Sequence, residues 1–288
     1  MTTTEVYNDF LDNLKHIYEE REAANIADWV LENVTHLKKW ERRRDALKLD
    51  DSQLSQLKQY LVELLQHKPV QYVLQEAWFY KFKFFVNEHV LIPRPETEEL
   101  VSWIINDIRD TRYDTGYDKF KILDIGTGSG CIAISLAKEL ENAYITAIDV
   151  SEKALSVAKR NANTFQTQIN FIKNNFLDES YWNILSMYEV IVSNPPYIPE
   201  NKKEILAKNV AEFEPGIALF VQNDNPFIFY EKIAKFAKSH LKPGGKIYAE
   251  IHEDYSIEVQ QIFDEYNFKA EIKKDIYGKD RMIKATEM

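Results

Sequence analysis

Five short apolar runs, at 121–126, 144–149, 169–173, 189–194 and 245–251, divide the chain from Phe120 onwards and read as strands. Helical patterns follow the first three, around 130–140, 151–164 and 178–185. Repeated strand–helix alternation builds a parallel sheet covered on both faces. Ligands in such sheets bind outside the carboxyl ends of the strands, so those ends are where chemistry is expected. Two last strands, near 269–276 and 280–287, are joined by the turn Tyr277-Gly278-Lys279-Asp280 and add an antiparallel pair.

The first strand end carries Asp124-Ile125-Gly126-Thr127-Gly128-Ser129-Gly130, followed by the helical Cys131-Ile132-Ala133-Ile134. Glycines there allow positive φ and close approach of a ligand to the backbone. The dinucleotide fingerprint is G-x-G-x-x-G, whereas this loop is G-x-G-x-G with an acid before it. Asp124 suits a cationic, phosphate-free ligand better than a pyrophosphate, and S-adenosylmethionine, with its ammonium and sulfonium, is such a ligand. The second strand ends in Asp149, placed to accept hydrogen bonds from two ribose hydroxyls; the plainer role is to cap the helix beginning near Ser151. The third leads to Asn174-Asn175-Phe176, where an adenine would lie.

The fourth strand runs into Asn194-Pro195-Pro196-Tyr197. Each proline restricts the residue before it to extended geometry, and neither offers an N–H. The Asn194 side-chain oxygen and the Pro195 carbonyl together present two acceptors, which suits an NH2 group. Tyr197 is expected to cover that planar group with its ring. An amide nitrogen is a poor nucleophile because its lone pair is delocalised into the carbonyl. Acceptors holding both hydrogens would aim it at an already activated electrophile without a strong base, which is methyl-transfer chemistry on an amide or amine. The plainer alternative is a Pro-Pro turn that stops a strand.

These residues carry a resemblance to the HemK/PrmC family of protein-(glutamine-N5) methyltransferases, which modify the glutamine of the Gly-Gly-Gln loop in peptide chain release factors. It spans nearly the whole chain: Leu91-Ile92-Pro93-Arg94-Pro95-Glu96-Thr97-Glu98, the loop from Asp124 to Gly130, Asn194 to Ile198, Glu214-Pro215, Leu241 to Gly245, and Asp275 to Arg281. The resemblance implies an α/β fold of the class I S-adenosylmethionine-dependent methyltransferase type, Rossmann-like, with a mostly parallel seven-stranded sheet. It implies S-adenosyl-L-methionine as cofactor and release factors as protein partners. Gly126, Gly128 and Gly130 would surround the methionine part of the cofactor with Asp124 and Thr127. Asp149 would hold the ribose, Asn175 and Phe176 the adenine, and Asn194 with Pro195, Pro196 and Tyr197 the substrate amide. Arg94, Thr97 and Glu98 would lie over the cleft. Three positions depart from the family pattern: Asn175 where aspartate is usual, Gln75 where glycine is frequent, and His252 where glycine commonly follows Glu250-Ile251.

The rest of the chain frames this site. Residues 1–75 read as an all-helical module, with Val6, Phe10, Leu11 and Leu14, then Ile26, Trp29, Val30 and Val34, then Leu54, Leu57, Leu61 and Leu65 at helical spacing, and the family resemblance assigns it to substrate recognition. Asp50-Asp51-Ser52 marks the start of its last long helix. Residues 76–92 read as a β-hairpin linker with its turn at Asn87-Glu88, and 93–288 as the catalytic domain, opening on a helix with Pro95 in its first turn and Glu96, Glu98 and Glu99 at the positive end of its dipole.

A net charge of −10 argues against stable nucleic-acid binding. The basic run Lys38 to Arg44 reads as a solvated helix face or as a docking face for an acidic partner. A single cysteine, Cys131, fits a reducing compartment. Six histidines without paired spacing predict no metal. The absence of a signal peptide and of any apolar window near twenty residues predicts a cytoplasmic protein without a membrane anchor. Two other functions stay open: an amino-methyltransferase of adenine or cytosine acting on an extruded base, and a non-catalytic cofactor-binding interaction protein.

Overall fold

The computed structural model describes residues 1–44, 47–110 and 119–288, with the side chains of Arg43 and Arg44 outside the description. The chain divides into two compact units, residues 1–76 with 207–213, and residues 77–206 with 214–288.

The first unit holds α1 (Thr3–Leu14), α2 (Glu20–Thr35), α3 (Lys39–Arg44), α4 (Asp51–Leu65) and α5 (Val70–Leu74). Reciprocal side-chain and backbone bonds start two of these helices, Thr2 with Glu5 for α1 and Asp50 with Gln53 for α4, each satisfying N–H groups that a helix start leaves unpaired. Val6, Phe10, Leu14, Ile26, Val30 and Val34 form the core as their spacing predicts. Leu64, not Leu65, completes it from α4, because two full turns separate it from Leu57; Leu65 faces solvent. Gln75 ends α5 with φ 55°, so the position where glycine is frequent does adopt the left-handed conformation that favours glycine. Three cations of the basic run are paired inside their own unit: Lys38 with Glu32 at 2.5 Å, and Lys39 and the buried Arg42 both with Asp28, at 2.5 and 2.8 Å.

The second unit starts at Ala77, within a hairpin of β1 (Glu76–Phe79) and β2 (Phe82–Phe85). Its turn is at Tyr80-Lys81, not at Asn87-Glu88, and residues 89–92 form no strand. The aromatic run folds back on itself because Tyr80 takes φ 57°, which lets Phe79 and Phe84 turn inward. Phe82 and Phe84 pack on Phe165, with ring centroids 5.2 and 5.1 Å away.

After α6 (Pro95–Asp110) come β3 (Phe120–Ile125), α7 (Cys131–Glu139), β4 (Ala143–Asp149), α8 (Glu152–Phe165), β5 (Ile169–Lys173) and β6 (Tyr188–Ser193). The helix expected at 178–185 is a short 3-10 helix, Glu179–Ile184, capped by Asp178 and pinned by Trp182 Nε1–H donating to the Phe176 carbonyl. Next are β7 (Ile198–Pro199), α9 (Lys208–Phe213), α10 (Gly216–Leu219), β8 (Phe220–Val221), α11 (Ile228–His240), β9 (Leu241–Glu250), α12 (Ser256–Glu265), β10 (Phe268–Lys274) and β11 (Asp280–Glu287). The α9 segment belongs to the first unit.

Seven strands form one sheet in the order β10-β11-β9-β6-β3-β4-β5, parallel except where β11 pairs with β9 and β10. This is the class I methyltransferase arrangement. Its register aligns the site: Ile125 pairs with Ile148 on one side and Ser193 on the other, and Asp149 pairs with Lys173. Gly126, Asn194 and Asn174 therefore each follow a paired residue at the same edge.

The fifth expected strand starts earlier than 245, because β9 passes through a bulge at Lys242 to Gly245 before pairing Lys246 with Val190. Gly245 is held there by sterics: a Cβ would come within 2.8 Å of the Lys242 carbonyl oxygen and 2.9 Å of that of Glu189. Backbone atoms on both sides cannot yield cheaply. Gly245→Ala is expected to lower unfolding free energy by about 2 kcal/mol or more, the cost of overpacking; chemical denaturation checks it.

Among the described residues, no helix is long and apolar enough to cross a membrane.

Candidate active site

A cavity of about 350 Å³ lies at the carboxyl ends of β3, β4, β5 and β6. Its floor is the glycine loop. Gly126 and Thr127 donate their backbone N–H groups to the Ile148 carbonyl, which folds the loop back across β4. Gly126, Gly128 and Gly130 all have positive φ, at 74°, 53° and 80°. Gly126 and Gly128 line the cavity, whereas Gly130 does not; a Cβ on Gly130 would lie 3.1 Å from Ile134 and 3.2 Å from Ala158, so it serves the approach of α7 to α8.

Asp149 is fixed by two backbone donors. Gly128 N–H reaches one carboxylate oxygen at 2.9 Å and Ser151 N–H the other at 2.8 Å. Each oxygen retains acceptor capacity towards the cavity that Asp149 lines. Burial raises its pKa, opposed by these N–H groups. Cavity walls of Ile132, Val150, Ala154, Phe176 and Leu177 are apolar, and Asn175 stands exposed at their edge. The Cys131 thiol also lines the cavity, but burial pushes it up to about 12, so it stays protonated and unreactive.

Asp124 differs from the expected ligand position. It is fully buried, is absent from the cavity wall, and accepts from Thr127 Oγ1–H at 2.6 Å. Burial pushes its carboxyl up to about 7 from 3.8. A folded-state pKa above the unfolded one gives stability that is full below pH 4 and is lost as pH rises through about 7. In the cofactor-free protein, Asp124→Asn is therefore expected to flatten the fall in unfolding free energy between pH 4 and 8. The difference should be on the order of 3 kcal/mol, read from denaturant titrations across that range; parallel curves for the two proteins would contradict the assignment.

Asn194 and Pro196 line the cavity; Pro195 is buried behind them. The Asn194 Nδ2 donates to Thr97 Oγ1 at 3.0 Å, and the Thr97 hydroxyl donates to Glu250 Oε2 at 2.5 Å. Tyr197 does not lie over the cavity as a cover. Its hydroxyl donates to Glu250 Oε1 at 3.2 Å, and its ring meets the His252 imidazole edge-on at 5.8 Å. The His252 Nδ1 accepts the Asp254 N–H, and burial lowers its pKa, so the departure from glycine places a neutral ring behind Tyr197. Arg94 and Thr97 line the cavity and Glu98 does not. Arg94 pairs with the buried Glu214, which also accepts the Ile92 N–H at 3.0 Å. Glu214 and Glu250 were legible only as parts of motifs; the isolated acid closing the apolar Tyr248-Ala249-Glu250-Ile251 was the available signal. No cluster of three or more metal-ligating side chains occurs among the described residues.

The chain is similar to known proteins along both of its units. Residues 112–221 match a family model described as a methyltransferase small domain, and residues 5–74 one described as the PrmC N-terminal domain. A release factor glutamine methyltransferase of Flavobacterium psychrophilum is 45% identical over 96% of this chain and 95% of its own length. Those of Lactococcus lactis and Bacteroides thetaiotaomicron are 44% and 39% identical, over 82% and 80% of this chain and 84% and 80% of their own. Likeness at that level along both units is likeness of the whole molecule, and the chain belongs to the family of release factor glutamine methyltransferases.

Proposed function

We propose that this protein transfers a methyl group from S-adenosyl-L-methionine to the side-chain amide nitrogen of the glutamine in the Gly-Gly-Gln loop of a peptide chain release factor, a cytoplasmic reaction. The observation that carries this is the placement of Asn194, its NH2 tied to Thr97, beside the glycine loop on the same cavity as Asp149.

The residues present fit the cofactor. Asp149 has acceptor capacity for a pair of ribose hydroxyls, and the apolar walls with Phe176 suit an adenine whose amino group Asn175 would meet through its oxygen. Asp124, beneath the loop, would act on a cationic ligand through its field rather than by contact. Bound there, S-adenosylmethionine supplies a methyl group already activated by its sulfonium. The protein then has to orient an amide nitrogen and shield it from water. Asn194 Oδ1 and the Pro195 carbonyl would hold the two amide hydrogens, increasing electron density on nitrogen and aiming its lone pair. Orientation and preorganised dipoles supply the rate, with no strong base needed before attack, and the methylated nitrogen loses one of its two protons to solvent once the new bond has formed and the sulfur has left as the neutral thioether. Arg94, fixed by Glu214, would contribute to the mouth of the cleft.

Transfer of labelled methyl from S-adenosylmethionine to a purified release factor, to its Gly-Gly-Gln glutamine→alanine variant and to duplex DNA tests this. Label on the unaltered factor alone is expected. Label on DNA, or equally on the variant, would assign the slot to another nitrogen; cofactor binding without any transfer would make the protein a binding module.

A further inference from the structure

An asparagine amide is a donor at one end and an acceptor at the other, so whichever end faces the cavity decides what the slot accepts. Hydrogen-bond counting settles which end that is. Glu250, at the end of β9, is buried, and an ionised carboxylate only accepts. Its two oxygens take the hydroxyl protons of Thr97 and Tyr197; burial raises its pKa, and these two hydroxyl donors with the Arg281 charge oppose that rise. A threonine hydroxyl has one proton. With it spent on Glu250, Thr97 Oγ1 has only lone pairs to offer, and the group it receives is Asn194 Nδ2. That commitment leaves Oδ1 as the end of the amide available to the cavity.

We infer that Glu250, acting through Thr97, fixes the polarity of the Asn194 side chain, making the slot an acceptor that admits an NH2-bearing side chain and rejects a carboxylate. Glu250 is thus a positioning residue, reaching Asn194 through Thr97 on one side and Tyr197 of the same tetrapeptide on the other. Glutamine fits such a slot. Glutamate would set one carboxylate oxygen against Asn194 Oδ1, with no proton between them. The inference rests on the reading of Asn194 as the holder of the substrate amide.

The test compares wild type, Thr97→Val and Thr97→Ser, measuring kcat and KM for methyl transfer to the release factor and Kd for S-adenosylmethionine by calorimetry. Valine keeps the shape and loses the relay. It is expected to lower kcat by about tenfold or more, with cofactor Kd changed by less than about threefold, because the rest of the cavity is untouched. Serine keeps the hydroxyl and is expected to recover most of the lost rate. Glu250→Gln, whose amide has protons to donate to Thr97, should lower kcat in the same way. An unchanged kcat in Thr97→Val, a serine variant as slow as the valine one, or a loss confined to cofactor binding would each overturn the inference while leaving the glutamine reading in place. A wild-type protein inactive on the glutamine would overturn both.

Discussion

Asn194→Ala is expected to reduce methyl transfer to the release factor by roughly 10²-fold or more, on the scale for losing one positioned hydrogen-bond partner, while cofactor affinity changes by less than about threefold. The split follows from where the residue stands. Its Nδ2 is spent on Thr97, so what alanine removes from the cavity is one acceptor and its aim. The Asp149 carboxylate lies on a different strand and keeps both of its backbone donors. Turnover at saturating cofactor, with Kd measured separately, decides the matter. A variant that turns over normally but binds cofactor poorly would move Asn194 from the substrate side of the cavity to the cofactor side.

Asp149→Ala is expected to do the reverse. Removing a charged acceptor from two hydroxyls costs about 2–4 kcal/mol, so cofactor Kd should rise by roughly 10²-fold, with kcat at saturating cofactor falling far less. The carboxylate also ties Gly128 N–H to Ser151 N–H, and its loss frees one side of the glycine loop. Asp149→Asn, which keeps one acceptor oxygen, should fall between wild type and alanine. Unchanged affinity in the alanine variant would reduce Asp149 to the helix-capping role that its bond to Ser151 also serves.

The sheet was legible in the sequence because buried parallel strands are near-continuous apolar runs and because glycine or proline closes two of the runs that end at the cavity. The ends of these runs placed Gly126, Asp149, Asn175 and Asn194 together, and the register of β3 with β4 and β6, and of β4 with β5, brings them to one edge. What escaped has a different physical origin. Tyr80 turns the hairpin in a left-handed conformation without any glycine or asparagine to mark it, so the turn was expected at the more polar Asn87-Glu88. The bond from Thr97 to Glu250 joins residues 153 apart, and no local pattern encodes it. For the same reason Tyr197 was expected to face the ligand, when the buried carboxylate behind it draws its hydroxyl away from the cavity. Asp124 reads as a ligand in sequence because it borders the loop, but it is the penultimate residue of β3 and lies fully buried, where the Thr127 hydroxyl closes over it.

Mapping the methyl group on the release factor by fragment mass spectrometry, after reaction with S-adenosylmethionine and this enzyme, tests most directly that the cavity is an acceptor slot for a glutamine amide. One methyl on the side-chain nitrogen of the Gly-Gly-Gln glutamine is the expected result. A methyl on another residue, or on a carboxylate where glutamate replaces that glutamine, would contradict it.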